Sequence, residues 1–234
     1  MRIYIFVLSV ITLILISCDN DVNITIPDTN APLQDDMNCL VGEGPIIMQS
    51  RTLLDSIQRI HSYVLADIHI TQGPQEDLVI EGQENIINQI DSEIVNGILI
   101  FQMEGCVDIT EAVQIYVTTP EIEALTQEGI GNFLVVNDFE LTELRVTFNG
   151  LGDIELRGTV DSLEIDHKDG IGNVLAFDLV SKFCEITLAG VGDVEVFVDE
   201  ELNVTLTGVG NVYYKGNPTI TSNISGLGAL IDAN

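Results

Sequence analysis

Six copies of a glycine–aliphatic–glycine motif run down the second half of this chain. They are Gly129-Ile130-Gly131, Gly150-Leu151-Gly152, Gly170-Ile171-Gly172, Gly190-Val191-Gly192, Gly208-Val209-Gly210 and Gly226-Leu227-Gly228. Their first glycines lie 21, 20, 20, 18 and 18 residues apart. Asn132, Asp153, Asn173, Asp193 and Asn211 follow the first five copies, and Ala229 follows the sixth. A fixed period of this length makes each repeat one structural unit, which buries its apolar face only by stacking on its neighbours.

Alignment on the first glycine brings out apolar columns on both sides. Ahead of it, Leu144, Val146 and Phe148, then Cys184, Ile186 and Leu188, then Leu202, Val204 and Leu206 alternate with polar residues. Behind it, Phe133, Ile154, Val174, Val194, Val212 and Leu230 share a column. Period-two alternation marks strands with one buried face and excludes a helical reading. The chain is therefore expected to be all-β: a β-solenoid, or right-handed β-helix-like stack, of 18–21-residue coils that turn at the glycine motifs. The glycines suit turns that need positive φ, and the adjoining Asn or Asp tolerates left-handed geometry and bonds nearby backbone. The aliphatic residue inside each motif is expected to point into the core. One coil is irregular, because Leu163, Ile165 and His167 sit one residue further from their glycine; an inserted, bulged residue accounts for it.

The first 17 residues read as a bacterial lipoprotein signal peptide. Arg2 supplies a short positive region, Ile3 to Ile16 an apolar stretch too short to span a bilayer, and Leu15-Ile16-Ser17-Cys18 a lipobox that makes Cys18 the lipid attachment site. An ordinary secretory peptide is the alternative, and both send the chain out of the cytoplasm. Residues 18–45 form an acidic tether. Asp19 to Asn38 holds five aspartates and two prolines without one basic residue, a composition that cannot bury enough surface to fold. The solenoid domain is expected over 46–234, with lead-in coils over 46–120 and the glycine repeats over 121–234. In the lead-in, Tyr63–Thr71, Leu78–Gly82, Gly97–Met103 and Val113–Thr118 read as strands and Ile86–Ile90 as one helical turn.

Charge bounds the partners. Eight Lys and Arg stand against 37 Asp and Glu, a formal charge of −29. Such a surface repels nucleic acid and anionic glycans, which need cationic side chains to displace counterions. The chain lacks Trp, so it has no obvious sugar- or base-stacking platform. The carboxylates serve solubility and discourage edge-to-edge strand pairing. Of the cysteines that would remain after processing, Cys39 and Cys106 are a candidate disulfide pair pinning the start of the domain to an early coil. Cys184 falls in an inward column and is expected to be a buried, inert thiol.

The chain resembles the head GIN domain family of auto-transporter adhesins, found mostly as lipoproteins of Gram-negative envelopes. The resemblance runs from about Arg51 to the C-terminus. It rests on the glycine repeats, the strand at Val64 to Gln72 followed by Gly73, and the run from Gly208 to Pro218, whose Tyr-Tyr-Lys-Gly-Asn-Pro ending is its most specific part. Family repeats usually carry Ser before the first glycine; here only Ser225 does. The resemblance implies a β-helix-like fold and an adhesive or envelope-scaffolding role.

No reaction chemistry is legible in the repeats. A nucleotide loop needs a helix after its glycines, and strands follow here. The Asn and Asp residues are expected to form turn-capping ladders and not calcium sites, since hard cations need several converging oxygens. Arg145 and Arg157 are expected to project outward beside acidic neighbours, and His61, His69 and His167 suggest no catalytic set. No cofactor or metal is expected. The leading expectation is a lipid-anchored, non-catalytic envelope protein of the outer membrane that binds a protein or neutral glycan ligand. A structural scaffold or homo-oligomeric subunit is the alternative, and a polysaccharide-active enzyme the third reading.

Overall fold

The structure is a computed structural model that describes residues 39–234, so the expected signal peptide, Cys18 and most of the expected tether lie outside the described residues. It is nearly all-β, a β-solenoid of about five turns. Strand β1 (Leu40–Val41) is followed by β2 (Ile46–Ser50), β3 (Arg59–Ser62), β4 (Asp67–Gln72) and β5 (Asp77–Gln83). A single helical turn α1 (Glu84–Ile87) leads to β6 (Ile90–Val95), β7 (Ile98–Met103), β8 (Val107–Asp108) and β9 (Gln114–Thr119). The stack continues through β10 (Ala124–Gln127), β11 (Phe133–Val135), β12 (Phe139–Phe148), β13 (Ile154–His167), β14 (Val174–Leu188) and β15 (Val194–Leu206). It closes with β16 (Val212–Lys215), β17 (Thr219–Ile224) and β18 (Leu230–Asp232).

From β10 onward all pairings are parallel, each strand lying on its counterpart one coil earlier. Long strands β13, β14 and β15 pass around corners, and their pairing registers break there, between Glu155 and Arg157 and between Ala176 and Val180. The aligned columns are the core. Val146, Ile165, Ile186 and Val204 lie in register on one wall, and Phe133, Ile154, Val174, Val194 and Val212 on the other, all buried. One hydrophobic cluster runs from Ile57 to Val212, so the described domain contains its own core and folds as a unit.

The lead-in departs from a simple run of coils. Residues 59–72 do form a coil, with β3 and β4 parallel to β10 and β11. The next coil in space is β7 and β9, which come later in the chain. The chain gets there by a detour. After Gly73 it reverses into β5, antiparallel to β2 and β9, and then passes through α1 to the β6–β7 hairpin. Asn96 and Gly97, both at positive φ (52° and 77°), make the tight turn of that hairpin. Arg51 ties this end together: its guanidinium donates to the carbonyls of Ile87 and Ile90 and to Ser92 Oγ, at 2.7 to 2.9 Å. Burial lowers its pKa, and Asp91 partly counters that. A disulfide joins Cys39 to Cys106 (Cα–Cα 4.6 Å), beside the short β1–β8 ladder.

The irregular coil keeps its strand register. His167 pairs with Phe148 and Leu188, so the extra residue is not a bulge within the strand; it is absorbed in the turn at Lys168-Asp169. Cys184 is free and buried, and its thiol pKa is pushed up by burial and by Glu185.

Candidate binding surface

The turns carry a feature the alternation pattern did not reveal. Ile130, Leu151, Ile171, Val191, Val209 and Leu227 are bridged one to the next in a parallel line that begins at Leu65. They are in register, as the repeat requires, but they do not point inward. Exposure runs from 42% at Leu151 to 74% at Leu227. The reason is steric. The space beneath the turns at 129–131, 170–172 and 190–192 is already filled by buried side chains of the strands, Gln127, Phe148 and His167. The Phe148 ring lies under Gly170 and Gly172, the His167 Nε2 donates to the Gly172 carbonyl at 2.9 Å, and Gln127 Nε2 donates to the Gly131 carbonyl. The motif backbone is engaged in the stack, Leu151 N–H donating to Gly129 O and Gly152 N–H to Ile171 O, so the aliphatic side chain turns outward.

The two glycines of a motif answer different demands. The second has positive φ in the first five copies, as at Gly192 (142°). The first has an ordinary φ but no room: a Cβ on Gly208 would fall on the Gly190 carbonyl oxygen of the coil below. Positive φ therefore explains only half of the pattern, and close backbone approach explains the rest.

Beside this aliphatic ridge runs a ladder of side-chain to backbone bonds. Asp67 Oδ1 accepts from Asn132 N–H, Asn132 Oδ1 from Asp153, Asp153 Oδ1 from Asn173, Asn173 Oδ1 from Asp193, and Asp193 Oδ1 from Asn211, all between 2.6 and 2.9 Å. The ladder closes on Ala229 N–H at 3.1 Å. Asn132 and Asn173 also donate their amide groups to the carboxylates of Asp67 and Asp153. Acid and amide alternate along its whole length. Rungs of a parallel stack are about 4.8 Å apart, so alternation doubles the distance between carboxylates. Among the described residues no group of three or more His, Cys, Asp or Glu is arranged to hold a metal ion.

The remaining candidate groups lie apart. Arg145 pairs with Glu164 at 2.7 Å and Arg157 with Asp138 at 2.8 Å, both on outer faces. His61 stacks on Tyr63 and faces Glu128, while His69 stacks on Tyr116 and bonds Gln114. His167 is fully buried beneath a turn, and burial lowers its pKa. His61 and His69 lie on successive strands of one coil and His167 in another, and each has a different environment. The grooves on the flanks, such as the one lined by Arg59, Glu123, Arg145 and Glu164, are open to solvent.

A stack of coils presenting side chains in straight ladders, with its polar groups spread along the length, defines a β-solenoid of the surface-presenting kind. Residues 58–218 match the family described as putative auto-transporter adhesin, head GIN domain, and the chain belongs to that family. No curated protein matches it. Among solved structures it is similar to a putative adhesin from Bacteroides fragilis, at 23% identity and a TM-score of 0.70, over 82% of this chain and 99% of that one. A putative adhesin from Parabacteroides merdae aligns at 18% identity and TM-score 0.52, over 83% and 99% of the two chains. A putative lipid binding protein from Parabacteroides distasonis aligns at 18% identity and TM-score 0.50, over the same shares. These likenesses establish the fold.

Proposed function

We propose that this protein is a cell-envelope lipoprotein, anchored through Cys18, whose solenoid binds a protein ligand along its aliphatic ridge and carries out no reaction. The ridge is the observation that carries the reading. Six aliphatic side chains exposed in one line are unusual on a chain of formal charge −29. Contiguous exposed apolar surface rimmed by polar groups marks contact with another macromolecule. The acid–amide ladder supplies such a rim on one side, and the acidic surface disfavours polyanions. The family's adhesin description agrees. The free edge of the last coil favours a second reading, an envelope scaffold built by self-association.

Two measurements test the proposal. A soluble fragment of residues 19–234 is screened against envelope and host-matrix proteins and neutral glycans; the double variant Ile171→Asp, Val191→Asp is expected to lose most of the binding found. Undiminished binding by the variant, or binding to glycans alone, overturns the ridge assignment. Labelled fatty acid is expected to enter the full chain and not its Cys18→Ala variant.

A further inference from the structure

The two ends of the described stack are built differently. The N-terminal end carries the antiparallel strands β2, β5 and β6, with Asp91 and Glu93 on β6, and the disulfide-linked β1–β8 segment. At the other end, β17 pairs only with β15 and β18 only with β16, so both have one side unpaired in this structure. Every residue of β17 is exposed. Its inward positions Ile220 and Ile224 stack on Leu202 and Leu206, which are buried, yet are themselves 38% and 41% exposed. They are the open end of the core column.

Edge strands are normally guarded by charge, by Pro or by a bulge. β17 has none of these: its sequence is Thr-Ile-Thr-Ser-Asn-Ile and its pairing with β15 is unbroken. The neutrality extends to the whole coil. In a chain with 37 acidic residues, Asp232 is the one charged side chain from 216 to 234. Its carboxylate is already engaged by the Asn234 backbone N–H at 3.0 Å and amide at 2.7 Å.

We propose that this neutral edge is a self-association surface, on which a second copy of the chain docks through the same edge about a two-fold axis. The charge distribution selects that occupant. Two chains of formal charge −29 repel one another wherever their acidic flanks meet. The terminal coil is where they can approach with least repulsion, while each copy covers the other's Ile220 and Ile224. A two-fold contact uses one patch on both partners and is closed, so it yields a dimer and not a filament. The differently built, acidic N-terminal ends then point away from the junction. This inference does not rest on the aliphatic ridge, and the two can fail separately.

Sedimentation velocity on residues 19–234 at micromolar concentrations tests it. The parent is expected to reach twice the monomer mass, with association strengthened by added salt. Thr221→Asp with Asn223→Asp places like charges on both facing edges and is expected to return the monomer with an unchanged circular dichroism spectrum. Ile171→Asp, on the ridge, is expected to remain a dimer. A second readout avoids dependence on the acidic variant: Thr221→Cys is expected to form an interchain disulfide under mild oxidation. A monomeric parent, open-ended growth, or a dimer that survives the paired aspartates without Thr221→Cys cross-linking overturns the proposal.

Discussion

At the scale of single residues, the core of the described residues holds two titratable side chains, Cys184 and His167, and it accepts the histidine in only one protonation state. His167 lies between Phe148 and Leu188 in a column that continues to Gln127 on one side and Leu206 on the other. Its Nε2 donates to Gly172 O, while Nδ1 has no partner. Protonation would put a charge there without an acceptor, and burial accordingly holds the folded-state pKa below the ordinary 6.5. The unfolded chain therefore takes up the proton first. Stability is full above pH 6.5 and declines as pH falls from there towards the folded-state pKa. Urea unfolding of the parent and of His167→Leu should diverge in that window by up to about 1.4 kcal/mol per pH unit. A constant difference between the two would show that His167 is not the group responsible. The turn glycines make a second prediction. Gly208→Ala drives a methyl group onto a backbone carbonyl and should cost about 1–3 kcal/mol. Gly192→Ala meets the same obstruction at a positive φ and should cost more. Equal losses would indicate that conformation contributes nothing beyond space.

At the scale of elements, the acid–amide ladder shows how identical turns are stacked without collecting like charges. Two carboxylates one rung apart would repel by about 1 kcal/mol in water and about 3 at an effective dielectric of 20. Asn173→Asp would set a new carboxylate between those of Asp153 and Asp193, three in succession, and would remove the amide bond to Asp153. It should destabilise by about 1–2 kcal/mol, with part of the loss recovered in salt. Asp153→Asn should be milder, because an amide oxygen still accepts from the Asn173 N–H. Melts of the parent in calcium and in EDTA should coincide, since its oxygens are spent on backbone groups; a calcium-dependent rise in the parent would assign the ladder to a cation.

At the scale of the whole molecule, the stack is held by one continuous core while its outer faces are free to vary. Single substitutions on the ridge should therefore leave stability nearly untouched. Leu151→Asp and Val191→Asp are expected to unfold within about 0.5 kcal/mol of the parent by urea titration. A loss several times larger would mean that the ridge belongs to the core. The same separation lets ligand binding and self-association be tested without unfolding the chain: the ridge runs along the flank, and the neutral edge closes one end.

The repeat period and the alternation determined the solenoid, its rung-by-rung columns and the place of its turns, because they follow from local geometry repeated at fixed spacing. Cys184 in the core and outward-facing Arg145 and Arg157 were legible for the same reason. The direction of Leu151, Ile171 and Val191 was not. It depends on Phe148, His167 and Gln127 filling the volume under the turns, a competition for space between segments that no single repeat displays. Nor could periodicity show that residues 59–72 sit between two coils that follow them in the chain, since antiparallel pairing across β5 and β9 sets that order. The tertiary structure alone decided which surfaces face solvent: the exposed ridge and the neutral, half-covered edge exist only once the coils are stacked.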